Sequence, residues 1–278
     1  MSMFKKGKTL SFGKKVADII NKSSGSSSSN DQFMKLELGQ NVIRILPYIH
    51  DETNWPFKIV YTHWKINNEN LLSPKTYGKP DPFIDFAGKI WNNDLIDITD
   101  KKILFKRLMP QESIYCTVLN RNDVEKKVKL LRLPKSVFDI IIAYLNDSDT
   151  EMLIDPFEGI DIVITKNQTD PRDFKTISYT VTLKRKNSPV GTEEEIDKIF
   201  NTETFPKWED IWELEDEKVY LEKFNAFIDG NKNFRNAGEG KPLNVETTET
   251  VVSGKENNVT PSPDINKTLN KFKEMINS

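Results

Sequence analysis

The sequence predicts a mainly β fold with added helices: a small Greek-key barrel carrying a long loop subdomain and a helical C-terminal extension. Three observations point there. Residues 159–166 (GIDIVITK) and 177–185 (ISYTVTLKR) alternate with period two, so Ile160, Ile162 and Ile164 share one strand face and Ile177, Tyr179, Val181 and Leu183 share another. Residues 65–100 break the strand pattern with Pro74, Pro80, Pro82, Gly78 and Gly88, the mark of a long excursion from a sheet. Helical periodicity gathers late, where Thr192-x-x-Glu195 forms a capping box ahead of Ile196, Ile199 and Phe200.

In order, residues 1–22 form a basic arm and 23–33 a flexible Ser-rich linker. The core spans 34–192. Val42-Ile43-Arg44-Ile45-Leu46 reads as a buried strand stopped by Pro47, and 57–64 (FKIVYTHW) as the next strand. A short helix is expected over 86–92. Strand signals return at 102–108 and 113–120, a hairpin turn occupies 121–127, and 128–133 is its second strand. Pro134 opens a helix carrying Val137, Ile140, Ile141, Tyr144 and Leu145 at helical spacing. Residues 193–229 form an acidic helical segment that includes Trp208, Ile211, Trp212, Val219, Phe224 and Phe227. Residues 230–261 are too polar to fold and read as a disordered linker. Residues 262–278 close the chain as an amphipathic helix with Ile265, Leu269, Phe272 and Ile276 on one face. Short strands, one inserted helix and one long loop suggest an OB-fold, a barrel of this kind.

Net charge is −2, but the charge is segregated. Residues 1–15 carry Lys5, Lys6, Lys8, Lys14 and Lys15 and no acid, while 193–218 carry eleven acids against three lysines. Cys116 is the single cysteine, which excludes an intramolecular disulfide and a thiolate zinc cluster and points to an intracellular setting. No apolar run approaches the length of a membrane span, so no membrane partner is expected. Catalysis finds little support. His50 and His63 are the only histidines, and the nucleophile-elbow, P-loop and dinucleotide fingerprints are missing. The carboxylate clusters fall in solvated helical segments, which argues against a metal-dependent nuclease.

Aromatic residues interleave with cations on strands and loops. Single-strand binding needs that mixture, because cations follow phosphates while aromatic faces stack bases. The stacking candidates are Trp64, Tyr77, Trp91, Phe105, Tyr115, Phe174 and Tyr179. The phosphate candidates are Lys65, Lys75, Lys79, Lys89, Lys106, Arg107, Lys126, Lys127, Lys129, Arg132, Lys184, Arg185 and Lys186. The plainer alternative is that strand aromatics fill a core and that hairpin lysines decorate a solvated turn. An OB-like protein-interaction or structural module without DNA binding is the competing reading.

Gly39-Gln40-Asn41-Val42-Ile43-Arg44-Ile45-Leu46-Pro47 resembles the G-x-x-x-I-R-[FIL]-L-P opening of T-even phage gene-32-type single-stranded-DNA-binding proteins. Met3-Phe4-Lys5-Lys6-Gly7-Lys8-Thr9 resembles the family's basic N-terminal motif. Residues 73–87 (SPKTYGKPDPFIDFA) resemble its zinc loop, C-P-K-T-x-G-x-x-C-P-x-C-x-x-A. The resemblance covers residues 3–9 and roughly 36–190. It implies a protein that coats single-stranded DNA in replication, recombination and repair, in the cytoplasm of a bacterial host. It also implies cooperative self-association through Lys5, Lys6 and Lys8, and recruitment of replication and recombination proteins by the C-terminal segment. The chain departs from the family at the zinc loop. His63 matches the family histidine, but Ser73, Asp81 and Ile84 stand where cysteines would be, so no bound metal and no cofactor are expected. The tail departs too: residues 231–278 hold seven bases and six acids, and the acidic charge lies upstream in 193–218.

Overall fold

A computed structural model of the chain describes residues 32–150 and 152–238. The basic arm with Lys5, Lys6 and Lys8, nearly all of the Ser-rich linker and the C-terminal segment 262–278 lie outside the described residues. Strands β1 (Phe33–Met34), β2 (Gly39–Ile45), β3 (Phe57–Ile66) and β4 (Glu69–Leu72) are followed by helices α1 (Pro82–Trp91) and α2 (Ile98–Leu108). Then come β5 (Gln111–Asn120), β6 (Val128–Leu133), α3 (Lys135–Leu145), β7 (Ile160–Gln168) and β8 (Ile177–Asn187). Four helices end the described chain: α4 (Glu193–Ile199), α5 (Trp208–Ile211), α6 (Glu217–Asp229) and α7 (Lys232–Gly238).

The eight strands form one mixed sheet in the order β1-β6-β5-β2-β7-β8, with β3 on β5 and β4 on β3. The sheet stays open, so the expected barrel is an OB-like sheet that does not close. β5 is the hub. Residues Gln111 to Cys116 pair with β3, Val118 to Asn120 pair with β2, and the opposite edge pairs with β6. Alternation then sorts its side chains. Ile114, Cys116 and Val118 enter an inner core with Ile43, Ile45, Leu131, Leu133, Ile162, Ile164 and Val181, capped by Val137, Phe138 and Ile141 of α3. Tyr115 and Leu119 point the other way, onto α4 and α5, where Trp208, Ile211 and Trp212 are buried.

Arg44 lies within the sheet rather than on a binding face. Its side chain is fully buried, with one guanidinium nitrogen 2.7 Å from Asp161 and 2.9 Å from the Ser188 carbonyl, and the other 3.1 Å from the Asp155 carbonyl. Gly159 permits this approach: a Cβ there would stand 2.7 Å from the guanidinium and 2.2 Å from the Asp155 carbonyl.

Three elements differ from the sequence expectations. Residues 102–108 are helix, not strand. Asp97 accepts a hydrogen bond from the Thr99 N–H to start α2, and Leu104 and Leu108, four apart, are buried while Ile103 is half exposed. The helix expected over 86–92 begins at Pro82, because Asp81 caps it and Pro82 fits its first turn. Residues 232–238, expected in a disordered linker, form α7. There Phe234 is fully buried, and it packs in a third core with Phe83, Ile90, Leu104, Tyr220 and Phe227. Burying one such side chain stabilises by about 1.5–3 kcal/mol, which offsets part of the entropy cost of ordering this helix. Residues 65–100 therefore form a subdomain that shares one core with α2, α6 and α7, not an irregular loop.

Candidate nucleic-acid interface

Across β3, β5 and β6 one rung aligns Lys58, Tyr115 and Arg132, and the rung toward the start of β5 pairs Tyr61 with Glu112. Cations sit on aromatic faces around these rungs. Lys58 Nζ lies 4.3 Å from the Tyr77 ring centroid, and Lys75 Nζ lies 4.2 Å from that of Tyr61. Tyr61 donates to Glu112 at 3.2 Å, and Tyr77 donates to the Trp212 carbonyl at 2.5 Å. Burial pushes both phenols up to about 12, so each remains a neutral donor at physiological pH. A cleft opens beside Glu112, lined also by Ser113, Ile114, Arg132, Pro134, Lys135 and Tyr179. Glu112 thus joins the Lys75–Tyr61 pair to a cleft that holds two more cations and one more aromatic ring.

The other expected residues separate into groups. Trp64 and Lys65 are adjacent and both exposed, because the β3–β4 register shifts between His63 and Ile66 and Lys65 adopts φ +57°. Trp91 is exposed on α1 and packs 5.2 Å from Phe105 of α2, with Lys89, Lys106 and Arg107 exposed on the same helix pair. The Arg107 guanidinium also lies 5.7 Å from the Phe227 ring centroid. Phe174 is 81% exposed at the tip of the β7–β8 hairpin, and Lys184, Arg185 and Lys186 are exposed along β8. Lys79 is exposed next to Gly78, whose φ of +68° ends the turn Pro74–Tyr77.

Two groups depart from their expected roles. Tyr115 packs 4.7 Å from Trp212 and 6.2 Å from Phe33, so it joins the sheet to the helices instead of facing a ligand. The basic run on the β5–β6 hairpin is ion-paired: Lys126 with Glu195 at 2.7 Å, Lys127 with Glu125 at 2.6 Å, and Lys129 with Asp123 at 3.2 Å. The Lys126 hydrogen bond, with that of the Thr192 N–H, holds Glu195 below the usual carboxylate range, so this pair persists at neutral pH. Lys58, Tyr61 and Lys135 also lie at this candidate site and are not among the residues expected from the sequence. A lone lysine on a strand reads as solvated, and only the fold brings Lys58 to Tyr77.

The residues aligned with the family's zinc loop also converge. His63 Nε2 lies 2.8 Å from Asp81 Oδ2, which also accepts from Ser73 Oγ and, at 3.3 Å, from the Tyr220 hydroxyl. Burial alone would push Asp81 up. The hydrogen bonds from His63, Ser73 and the Phe83 N–H outweigh it and hold Asp81 low.

An open OB-like sheet edged by a cleft with one aromatic ring and two cations has the make-up of a nucleic-acid-binding module. The sequence matches the family model described as gp32 DNA binding protein like over residues 37–228. That is more than half of the chain, and the chain belongs to this family, the gene-32-type single-stranded-DNA-binding proteins. No curated protein matches the sequence.

Proposed function

We propose that this protein coats single-stranded DNA without strong sequence preference and protects transient single strands in replication, recombination and repair, with no chemistry of its own. The carrying observation is the cleft at the start of β5. There Tyr179, Arg132 and Lys135 meet, and Glu112 connects them to Tyr61 and Lys75. Bases would stack on the exposed rings while phosphates follow the cations. The basic arm would bind a neighbouring protomer along the strand, and the C-terminal segment would recruit replication and recombination proteins, both in the cytoplasm of a bacterial host. Titration of tryptophan fluorescence with poly-dT tests the reading. Trp64 and Trp91 are exposed, so binding should change the signal, and affinity should fall steeply with salt. An unchanged signal together with no salt-dependent binding would overturn it.

One observation favours a second reading, a protein-docking module. Leu95, Ile98 and Ile103 are each more than half exposed on or next to α2, near the exposed Trp91 on α1. That reading expects no response to poly-dT.

A further inference from the structure

The loop between β4 and α1 carries Lys75, Tyr77 and Lys79, and its two ends are Ser73 and Asp81. Both ends meet on one atom. Asp81 Oδ2 accepts from Ser73 Oγ, from His63 Nε2 of β3 and from the Tyr220 hydroxyl of α6, while Asp81 Oδ1 accepts from the Phe83 N–H at 2.9 Å. All four side chains are buried, and the His63 ring lies against Phe83 with centroids 4.6 Å apart. Within the loop, Thr76 Oγ1 accepts from the Tyr61 N–H at 2.9 Å, and the Ser73 N–H donates to the Tyr61 carbonyl at 2.9 Å. These bonds hold Lys75 over Tyr61 and Tyr77 beside Lys58.

We propose that a metal-free clamp, in which His63, Ser73 and Tyr220 converge on the Asp81 carboxylate, replaces the family's zinc and positions the loop that presents Lys75, Tyr77 and Lys79 to single-stranded DNA. The donor set does not fit zinc. Ile84 offers only hydrocarbon at one family ligand position. Asp81 Oδ2 already accepts three hydrogen bonds, and among the described residues no group of three His, Cys, Asp or Glu side chains could hold a metal ion. Buried polar groups are costly unless paired, and here the carboxylate takes over the joining role of the metal by gathering β3, both ends of the loop and α6. Ser73, Asp81 and Tyr220 are thus positioning residues for the interface, and in this respect the inference rests on the proposed function.

The experiment uses the full-length protein and the variants Asp81→Ala and Ser73→Ala. Wild type should carry no stoichiometric zinc after purification and should keep its melting temperature in a strong chelator. Both variants should become cleavable by trypsin after Lys75 while retaining the wild-type circular dichroism. Their salt slope for a short oligo-dT should flatten by roughly 0.7 for each loop lysine that leaves a phosphate. If Asp81→Ala fails to fold, Ser73→Ala, which deletes one hydroxyl, carries the test alone. One equivalent of zinc with a chelator-sensitive melting temperature overturns the clamp. So does a loop as resistant to trypsin in the variants as in wild type, and an opened loop with an unchanged slope overturns the positioning role. Absence of any single-strand binding by wild type would instead overturn the proposed function, leaving the trypsin and zinc results to judge the clamp.

Discussion

The two long hairpins of the sheet read alike in sequence and differ in the fold. β5–β6 carries Lys126, Lys127 and Lys129, and β7–β8 ends in Lys184, Arg185 and Lys186. In the first, each lysine meets a carboxylate, one of them from the capping box of α4. In the second, none of the three has an ion-pair partner among the described residues, and Phe174 stands exposed at the hairpin tip. A cation already paired must give up its carboxylate before it can gain a phosphate, so the second hairpin is the stronger electrostatic partner for a polyanion.

The largest expected effect comes from replacing Lys184, Arg185 and Lys186 together by alanine. If all three neutralise phosphates, the log–log slope of affinity against salt should flatten by roughly 2, at about 0.7 per contact. A slope equal to wild type would erase the distinction between the hairpins. Next is Phe174→Ala, which should weaken binding by about 1–3 kcal/mol if a base stacks on the ring, with no change of slope. Titration of a short oligo-dT at fixed salt reads this directly, and wild-type affinity would remove Phe174 from the interface. Glu195→Gln should act in the opposite direction. Freed from its partner, Lys126 becomes available to the strand, and the slope should steepen by about 0.7. An unaltered or flatter slope would mean that Lys126 does not face the DNA. The smallest effect is expected for Lys126, Lys127 and Lys129 replaced together by alanine, with a change of slope below about 0.7. A loss as large as that of the β8 variant would put the strand on the first hairpin after all.

Local signals were legible where one stretch of chain decides the outcome. The alternation of Ile160, Ile162 and Ile164, the Thr192–Glu195 capping box and the Pro134 helix start all appear in the structure. The residues 102–108 misled because Ile103, Leu104 and Phe105 form an apolar run that suits either period. Asp97 and the burial of Leu104 and Leu108 against distant Phe227 and Phe234 decide for helix. In the candidate site, exposed Phe174 and Trp91 could be named from composition, since a turn or an outer helix face sets their exposure locally. The pairing of Lys126 with Glu195, 69 residues away, could not, nor could the convergence of His63 and Tyr220 on Asp81. Arg44 illustrates the same limit: its motif was readable, but its burial against Asp161 and Ser188 depends on β7 and on the residue that follows β8.

The lone thiol has a practical consequence. Cys116 lies at the centre of β5, fully buried, with Sγ 3.8 Å from the Leu131 carbonyl, and burial raises its pKa well above that of a free thiol. A thiol reagent in solution can reach it only when β5 parts from its neighbours. The labelling rate of the native protein therefore serves as a clock for opening of the sheet, without any engineered probe. The same seclusion leaves the chain free of competing surface thiols. A reporter cysteine placed at Phe174 would react orders of magnitude faster than Cys116, so one molecule could report strand capture at its rim and structural breathing at its centre.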